Sequence, residues 1–398
     1  MKKVVLILMF FTVASNAQWV QQISGTTQPL FSVCFVNDQT GFAAGNSLIK
    51  TTNGGTNWNA QFGGIDNLYT VYFSSINTGW VAGGLGQIYK TTNTGLNWLN
   101  ISLSTSNIFR SAYFVNDQTG WLAGNQISKT TNGGANWTQQ NFGIALFNSV
   151  HFADINTGWI TGDMGQVYRT TNSGLNWVQQ QSNTGTNLNS IYFISSTTGF
   201  MAGTDSRVYK TTNGGNNWSV LYNQGLCGLN AIRFINESTG WVCGCEGSIN
   251  KTTNGGLNWT QQSLASTTYL YSMSFVSALT GWAVGAGGRI LKTTTGGITG
   301  IQPNSNEIPL QFSLSQNYPN PFNPTTKIRF DISGSSATQT LLSVYDMLGR
   351  EVATLVNEKL KPGTYEVDWN ASDYPSGVYF YKLISGKFSQ TKKMILMK

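Results

Sequence analysis

Nine residues recur six times along this chain, Lys/Arg-Thr-Thr-Asn-x-Gly-x-Asn-Trp, closing at Trp58, Trp98, Trp137, Trp177, Trp218 and Trp259. A unit of about 40 residues is therefore being copied. Repeats of that period mean one supersecondary unit per copy, stacked so that neighbours bury each other's faces. Each copy supplies an apolar run such as Leu68–Phe73, then Thr78-Gly-Trp-Val-Ala-Gly83, then Gln87–Lys90 leading into the box Thr91–Trp98, and last a short run of the type Trp137-Thr-Gln-Gln140. Runs rich in β-branched and aromatic residues, punctuated by Gly and Asn, read as four strands per unit. No apolar period of 3.6 interrupts them. The expected architecture is all-β, with one propeller blade per repeat.

The second strand occurs seven times, at Gly41-Phe42, Gly79-Trp80, Gly120-Trp121, Gly158-Trp159, Gly199-Phe200, Gly240-Trp241 and Gly281-Trp282, whereas the box is intact only six times. The seventh box, Thr293–Gly300, lacks its Asn and Trp. Trp19-Val-Gln-Gln22 matches Trp177-Val-Gln-Gln180, so the N-terminal strand is expected to complete the seventh blade. A ring joined in this way leaves no open end. Seven blades are expected over 18–300.

In the first box, Thr51, Asn53, Gly55 and Trp58 take the positions of Ser/Thr-x-Asp-x-Gly-x-x-Trp, and the box resembles the Asp-box of sialidase-type repeats. Asn can return its side-chain oxygen to backbone N–H groups, and Gly accepts positive φ. A buried indole is worth about 4–6 kcal/mol gross, from ~150–250 Å² at ~25 cal/mol/Å². The box tryptophans Trp58, Trp98, Trp137, Trp177, Trp218 and Trp259 are accordingly expected to be structural. Asn in place of Asp also removes the charge that a calcium site needs. Across the whole unit, Gly-Trp-x-x-Gly plus the box resembles the propeller of the photosystem II assembly and stability factor family. That resemblance implies protein binding without catalysis, and no cofactor is expected.

Both ends carry address labels. Met1–Val13 has a basic start and an apolar run too short to span a bilayer, and Ala14-Ser-Asn-Ala17 offers small residues for cleavage after Ala17. This pattern reads as a signal peptide over 1–17, and no later segment has the apolar length of a transmembrane helix. A low-complexity linker, 301–309, precedes a stretch of different composition. Asn317-Tyr-Pro-Asn-Pro-Phe-Asn-Pro324, Tyr345-Asp-x-x-Gly-Arg350, Pro375-Ser-Gly-Val-Tyr-Phe-Tyr381 and Lys392-Lys393 together resemble the type A sorting domain of the type IX secretion system. Seven short strands over 310–398 are expected to form a small immunoglobulin-like β-sandwich. The resemblance implies a partner in the type IX secretion machinery and export across the outer membrane, to the surface or beyond it.

The net charge of +7 suggests nucleic acid until it is divided. Residues 18–300 hold eleven Lys and Arg against eight Asp and Glu, too sparse an excess for a nucleic-acid partner. One ordered set remains: Lys50, Lys90, Lys129, Arg169, Lys210, Lys251 and Lys292 occupy one position in all seven units. Their stems are expected along apolar surface with the heads beside the box. The alternative is a cationic ring gripping an anionic polymer. Of the four cysteines, Cys227 and Cys245 are the favoured disulfide, Cys227–Cys243 the alternative, and Cys34 a buried thiol. No histidine accompanies them, so no metal is expected.

The only histidine, His151, stands where other units have Cys34, Tyr72, Tyr113, Tyr192, Arg233 and Ser274, and reads as a strand residue. A glycosidase needs two facing carboxyl groups. Asp38, Asp117, Asp154 and Glu237 fall in the turn after the first strand and read as turn formers, which leaves Asp66 and, clustered at the next turns of three consecutive units, Asp163, Asp205 and Glu246. A sialidase-like glycoside hydrolase is thus the second reading, and no arginine sits in that family's Phe-Arg-Ile-Pro pattern. The first reading is a non-catalytic binding or scaffold module. Its rim positions vary from unit to unit: Phe31, Tyr69, Arg110, Asn148, Asn189, Asn230 and Tyr271. Aromatic faces beside amides suit a glycan or an exposed peptide.

Overall fold

The computed structural model describes residues 19–63, 67–140, 142, 146–223, 228–262, 268–297, 309–371 and 374–397. The expected signal segment, most of the linker, Asp66 and Cys227 lie outside these residues. The chain divides into two compact units, of which one is Gln18–Gly297.

This unit contains seven four-stranded antiparallel sheets. Blade one runs from Leu30 to Gly63, blade two from Leu68 to Asn100, blade three from Phe109 to Gln140 and blade four from Phe147 to Gln180. Blades five and six follow at Leu188–Asn223 and Leu229–Gln261. Blade seven takes three strands from Leu270–Thr293 and its outer strand from Val20–Gln22, paired Val20 to Lys292 and Gln22 to Ile290. The expected closure by the N-terminal strand is what the sheet order gives.

A repeated aromatic seam explains why the blades stack. The strand-two aromatic of each blade lies flat on the Phe that ends the next blade's first strand. Trp80 on Phe114 has ring centroids 3.5 Å apart and Trp159 on Phe193 3.4 Å, while Trp282 on Phe35, also 3.4 Å, carries the series across the closure. The box Trp meets the same Phe edge-on, as in Trp58 with Phe35 and Trp218 with Phe193. Trp19 does this for the seventh blade, edge-on to Phe275 at 5.9 Å. Stacked and edge-on pairs add about 0.5–1.5 kcal/mol each beyond their burial.

The glycine of each Gly-Trp pair is required by this packing: a Cβ on Gly120 would fall 2.1 Å from Phe114 Cδ1. Within the box, Thr51 Oγ1 accepts from the N–H of Gly55 at 2.8 Å, and Asn53 Oδ1 accepts from the N–H of Asn57 at 2.9 Å. The same bonds recur in the other five intact boxes. The seventh keeps only the Thr part, Gly297 N–H to Thr293 Oγ1 at 2.8 Å. The box is a hairpin clip.

The sevenfold cations belong to the seam as well. Lys50, Lys90, Lys129, Arg169, Lys210, Lys251 and Lys292 each lie over the strand-two ring of their own blade, 5.2–5.7 Å from its centroid. Lys50 Nζ donates to Thr94 O and Lys129 Nζ to Ser173 O, both at 2.6 Å. Each thus reaches into the next blade's box. Burial pushes the Lys251 ammonium down to about 8. Heads committed in this way to rings and carbonyls form no open grip for a polymer, which corrects that alternative.

The turns after the first strands also need a correction. In blades one, three and six the residue before the acid makes the turn: Asn37, Asn116 and Asn236 accept from the N–H groups two and three residues on. Asp154 does so in blade four. Asp117 instead crosses to blade two, accepting from Ser74 and Thr78, and its carboxyl is held below the ordinary range by these bonds despite the opposing effect of burial.

The C-terminal region has its own core, including Phe322, Ile328, Phe330, Leu342, Tyr365, Trp369 and Tyr381. Its described strands form one sheet of three and one of four, in agreement with the expected small sandwich. Asp346 ties its hairpin by accepting from the N–H groups of Leu348 and Arg350 and pairing with Arg350 Nε at 2.7 Å. Among the described residues no helix is long and apolar enough to cross a membrane.

Candidate functional site

The first strands of all seven blades surround the propeller axis, so each contributes one side chain at each level of a central channel. The second residue of each strand is Phe31, Tyr69, Arg110, Asn148, Asn189, Asn230 or Tyr271, and all seven line one cavity of about 300 Å³. The variable positions of the repeat therefore converge on a single mouth.

That mouth has two unlike halves. Phe31 touches both Tyr69 and Tyr271, with ring centroids at 5.1 and 5.5 Å. Tyr269 continues this aromatic arc beside Tyr271 at 6.5 Å and is 53% exposed. Facing it runs an amide arc. Asn189 Nδ2 donates to Leu229 O at 2.9 Å and Asn230 Nδ2 to Leu270 O at 2.8 Å, each reaching the next blade. Asn148 Nδ2 donates to Leu188 O at 3.2 Å and to Asp163 Oδ1 at 2.9 Å, while its Oδ1 accepts from Arg110 at 2.8 Å. The amides thus brace the ring with their donors. The Arg110 guanidinium, paired with the Asn148 oxygen, is exposed beside them.

Below the mouth lies a level that sequence reasoning passed over. The third residue of the first strand is Ser or Thr in six blades, and its hydroxyl accepts a backbone N–H from the next blade. Ser32 takes Val71, Thr70 takes Ala112, Ser111 takes Val150, Ser149 takes Ile191, Ser190 takes Ile232 and Ser272 takes Val33, at 3.1–3.3 Å. Blade six has Ala231 here, so the belt is interrupted once. The signal was readable as a hydroxyl recurring at one position of an apolar strand.

Deeper still stand Cys34, Tyr72, Tyr113, His151, Tyr192, Arg233 and Ser274. Tyr113 and Tyr192 flank His151, each with its ring 4.7 Å from the imidazole, and Tyr72 continues the row 5.2 Å from Tyr113. Arg233 covers the far side of Tyr192 at 5.9 Å. These side chains are partly buried, and Cys34, Tyr72, Tyr192, Arg233 and Ser274 line the same cavity as the mouth. Burial first, and then the Arg233 charge, lowers His151 to about 3, and its Nδ1 accepts from Phe193 N–H at 3.4 Å. The imidazole is neutral. Burial raises Tyr113 to about 12 and the Cys34 thiol to about 11.

The three acids singled out for hydrolysis are dispersed among structural partners. Asp163 holds Asn148, and Asp205 accepts from Tyr209 Oη and lies 3.9 Å from Arg207. Glu246 occupies a tight turn at φ 51°. Among the described residues no cluster of His, Cys, Asp and Glu has the makings of a metal site. Cys245 is disulfide-bonded whereas Cys34 and Cys243 are free thiols, which removes Cys243 from the candidate pairings. Cys227 lies outside the described residues.

Residues 11–107 and 98–231 match the family described as photosynthesis system II assembly factor YCF48. Residues 316–397 match the secretion system C-terminal sorting domain, the address for type IX export across the outer membrane, to the cell surface or released from it. Among solved structures, YCF48 bound to a D1 peptide is 20% identical with a TM-score of 0.61, covering 71% of this chain and 98% of that one. YCF48 from Cyanidioschyzon merolae is 20% identical with a TM-score of 0.58, covering 70% and 99%. The WD40 propeller domain of Doa1 is 12% identical, also at 0.58, covering 69% and 96%. At such identities the likeness is one of fold. No curated protein matches the chain in sequence.

Proposed function

The chain belongs to the photosynthesis system II assembly factor YCF48 family, and from that membership we propose that it is an exported, non-catalytic binding or scaffold propeller whose ligand seats in the mouth of the central channel. The observation that carries this reading is the convergence of Phe31, Tyr69, Arg110, Asn148, Asn189, Asn230 and Tyr271 on one cavity. An aromatic arc opposite an amide arc can stack a flat or CH-rich face while hydrogen-bonding its edge. That combination suits a glycan or an exposed peptide segment, and a solved YCF48 holds a D1 peptide. The sorting domain delivers such a module to where surface ligands are met.

Removing the aromatic arc with Phe31→Ala and Tyr271→Ala should abolish retention of any glycan or peptide that the full chain captures on an array. Undiminished capture by that double variant would place the ligand elsewhere. The competing glycoside hydrolase reading needs Asp163, Asp205 and Glu246 as reactive carboxylates. Replacing all three with their amides should leave capture intact, with no product formed before or after. A glycan cleaved by the parent and spared by the triple variant would favour the enzyme.

A further inference from the structure

The seven first strands that wall the channel, Leu30–Phe35, Leu68–Phe73, Phe109–Phe114, Phe147–Phe152, Leu188–Phe193, Leu229–Phe234 and Leu270–Phe275, contain two arginines and no acid. Arg110 is at the mouth, where water screens it. Arg233 is partly buried and lines the same cavity at the deep level, among Cys34, Tyr72, Tyr192 and Ser274. Its guanidinium donates to Ile232 O at 2.8 Å and covers the Tyr192 ring. Those contacts occupy one N–H and one face of a group with five donors. Among the described residues no carboxylate lies within ion-pairing distance of it. The nearby titratable groups are thiols, phenols and a neutral imidazole, none of which supplies a counter-charge at neutral pH.

A guanidinium stays charged, and its partial burial carries a desolvation cost that a counter-ion would offset. A channel with low-dielectric walls and one sign of fixed charge also concentrates ions of the opposite sign. We infer that the deep end of the channel is a binding site for a small monocarboxylate, held on the Arg233 fork. Several features select that class. The planar fork matches a carboxylate in two-point geometry. One fixed cation at this depth neutralises a single negative charge, which disfavours a dianion. The aromatic wall of Tyr72 and Tyr192 accepts a short apolar body, and the cavity of about 300 Å³, which includes the mouth, bounds its size. This site shares the channel with the proposed ligand mouth but does not depend on it.

The chain's single histidine makes the test direct. His151 lies tilted against the Tyr192 ring that Arg233 covers, with ring centroids 4.7 Å apart, so its imidazole resonances report the deep channel without assignment of anything else. Acetate is titrated into the full chain at constant ionic strength, with acetamide as the uncharged isostere. Expected are a saturable His151 shift with acetate, none with acetamide, and at least a tenfold loss of affinity in Arg233→Gln. Arg233→Lys keeps the charge without the fork and should retain saturable binding several-fold weaker. This second variant keeps the test valid if Gln disturbs folding. The Phe31→Ala, Tyr271→Ala double variant should retain the acetate response even where it loses the mouth ligand, so the two readings fail separately. A shift that rises linearly, appears equally with acetamide, or survives in Arg233→Gln overturns the inference.

Discussion

At the scale of single residues, the repeat is written in side chains that must fit one another rather than in propensities. Gly120→Ala drives a methyl into the Phe114 ring, which itself lies 3.5 Å from Trp80, and should cost about 1–3 kcal/mol of stability by urea denaturation. A loss below ~0.5 kcal/mol would show the seam to be slack. His151 carries a pH dependence of known sign. Its pKa falls from 6.5 to about 3 on folding, so the unfolded chain takes up the proton first. The stability due to the neutral imidazole is full above about pH 6.5 and is lost as pH falls toward 3. Between pH 7 and 4.5, His151→Phe should lose about 2–3 kcal/mol less stability than the parent, at ~1.36 kcal/mol per pH unit. Identical pH profiles would contradict the burial. The Asn and Gly of the box were legible because a tight hairpin admits few residue types. That Asn37, Asn116 and Asn236, rather than Asp38, Asp117 and Glu237, make the turns was not legible, because adjacent polar residues compete for one turn position and only geometry chooses between them.

Among elements, the closing strand matters most. Val20–Gln22 is only three residues long, yet Trp19 packs against Phe275, and Gln22 Nε2 donates to Gly54 O at 3.3 Å. Trp19→Ala should cost about 3–5 kcal/mol, comparable to losing a box Trp in mid-ring, and should speed exchange of the Ile290–Thr293 amides above all others. Exchange protection unchanged there would mean that the strand does not seal the ring. This closure was legible from a bookkeeping mismatch, seven second strands against six boxes. The cationic positions were legible as a set, but their role was not. A lysine two residues after an aliphatic one announces a shared face, whereas the carbonyl that its head reaches belongs to the next blade, some 44 residues on.

For the whole molecule, the two units have separate tasks and separate tests. Deleting 310–398 should leave the propeller in the periplasm, and undiminished surface display of the truncated chain would refute that. The channel mouth was legible as seven variable positions in a repeated strand, but the engagement of its amides by the ring itself was not, since it depends on carbonyls about 40 residues away. The most direct test of the binding account is one array of surface glycans and peptides, probed with the full chain and with the Phe31→Ala, Tyr271→Ala double variant, and read for both retention and product mass. The account predicts a set of ligands retained by the parent, lost by the variant and recovered chemically unchanged. Ligands retained equally by both proteins, or recovered in cleaved form, would contradict it.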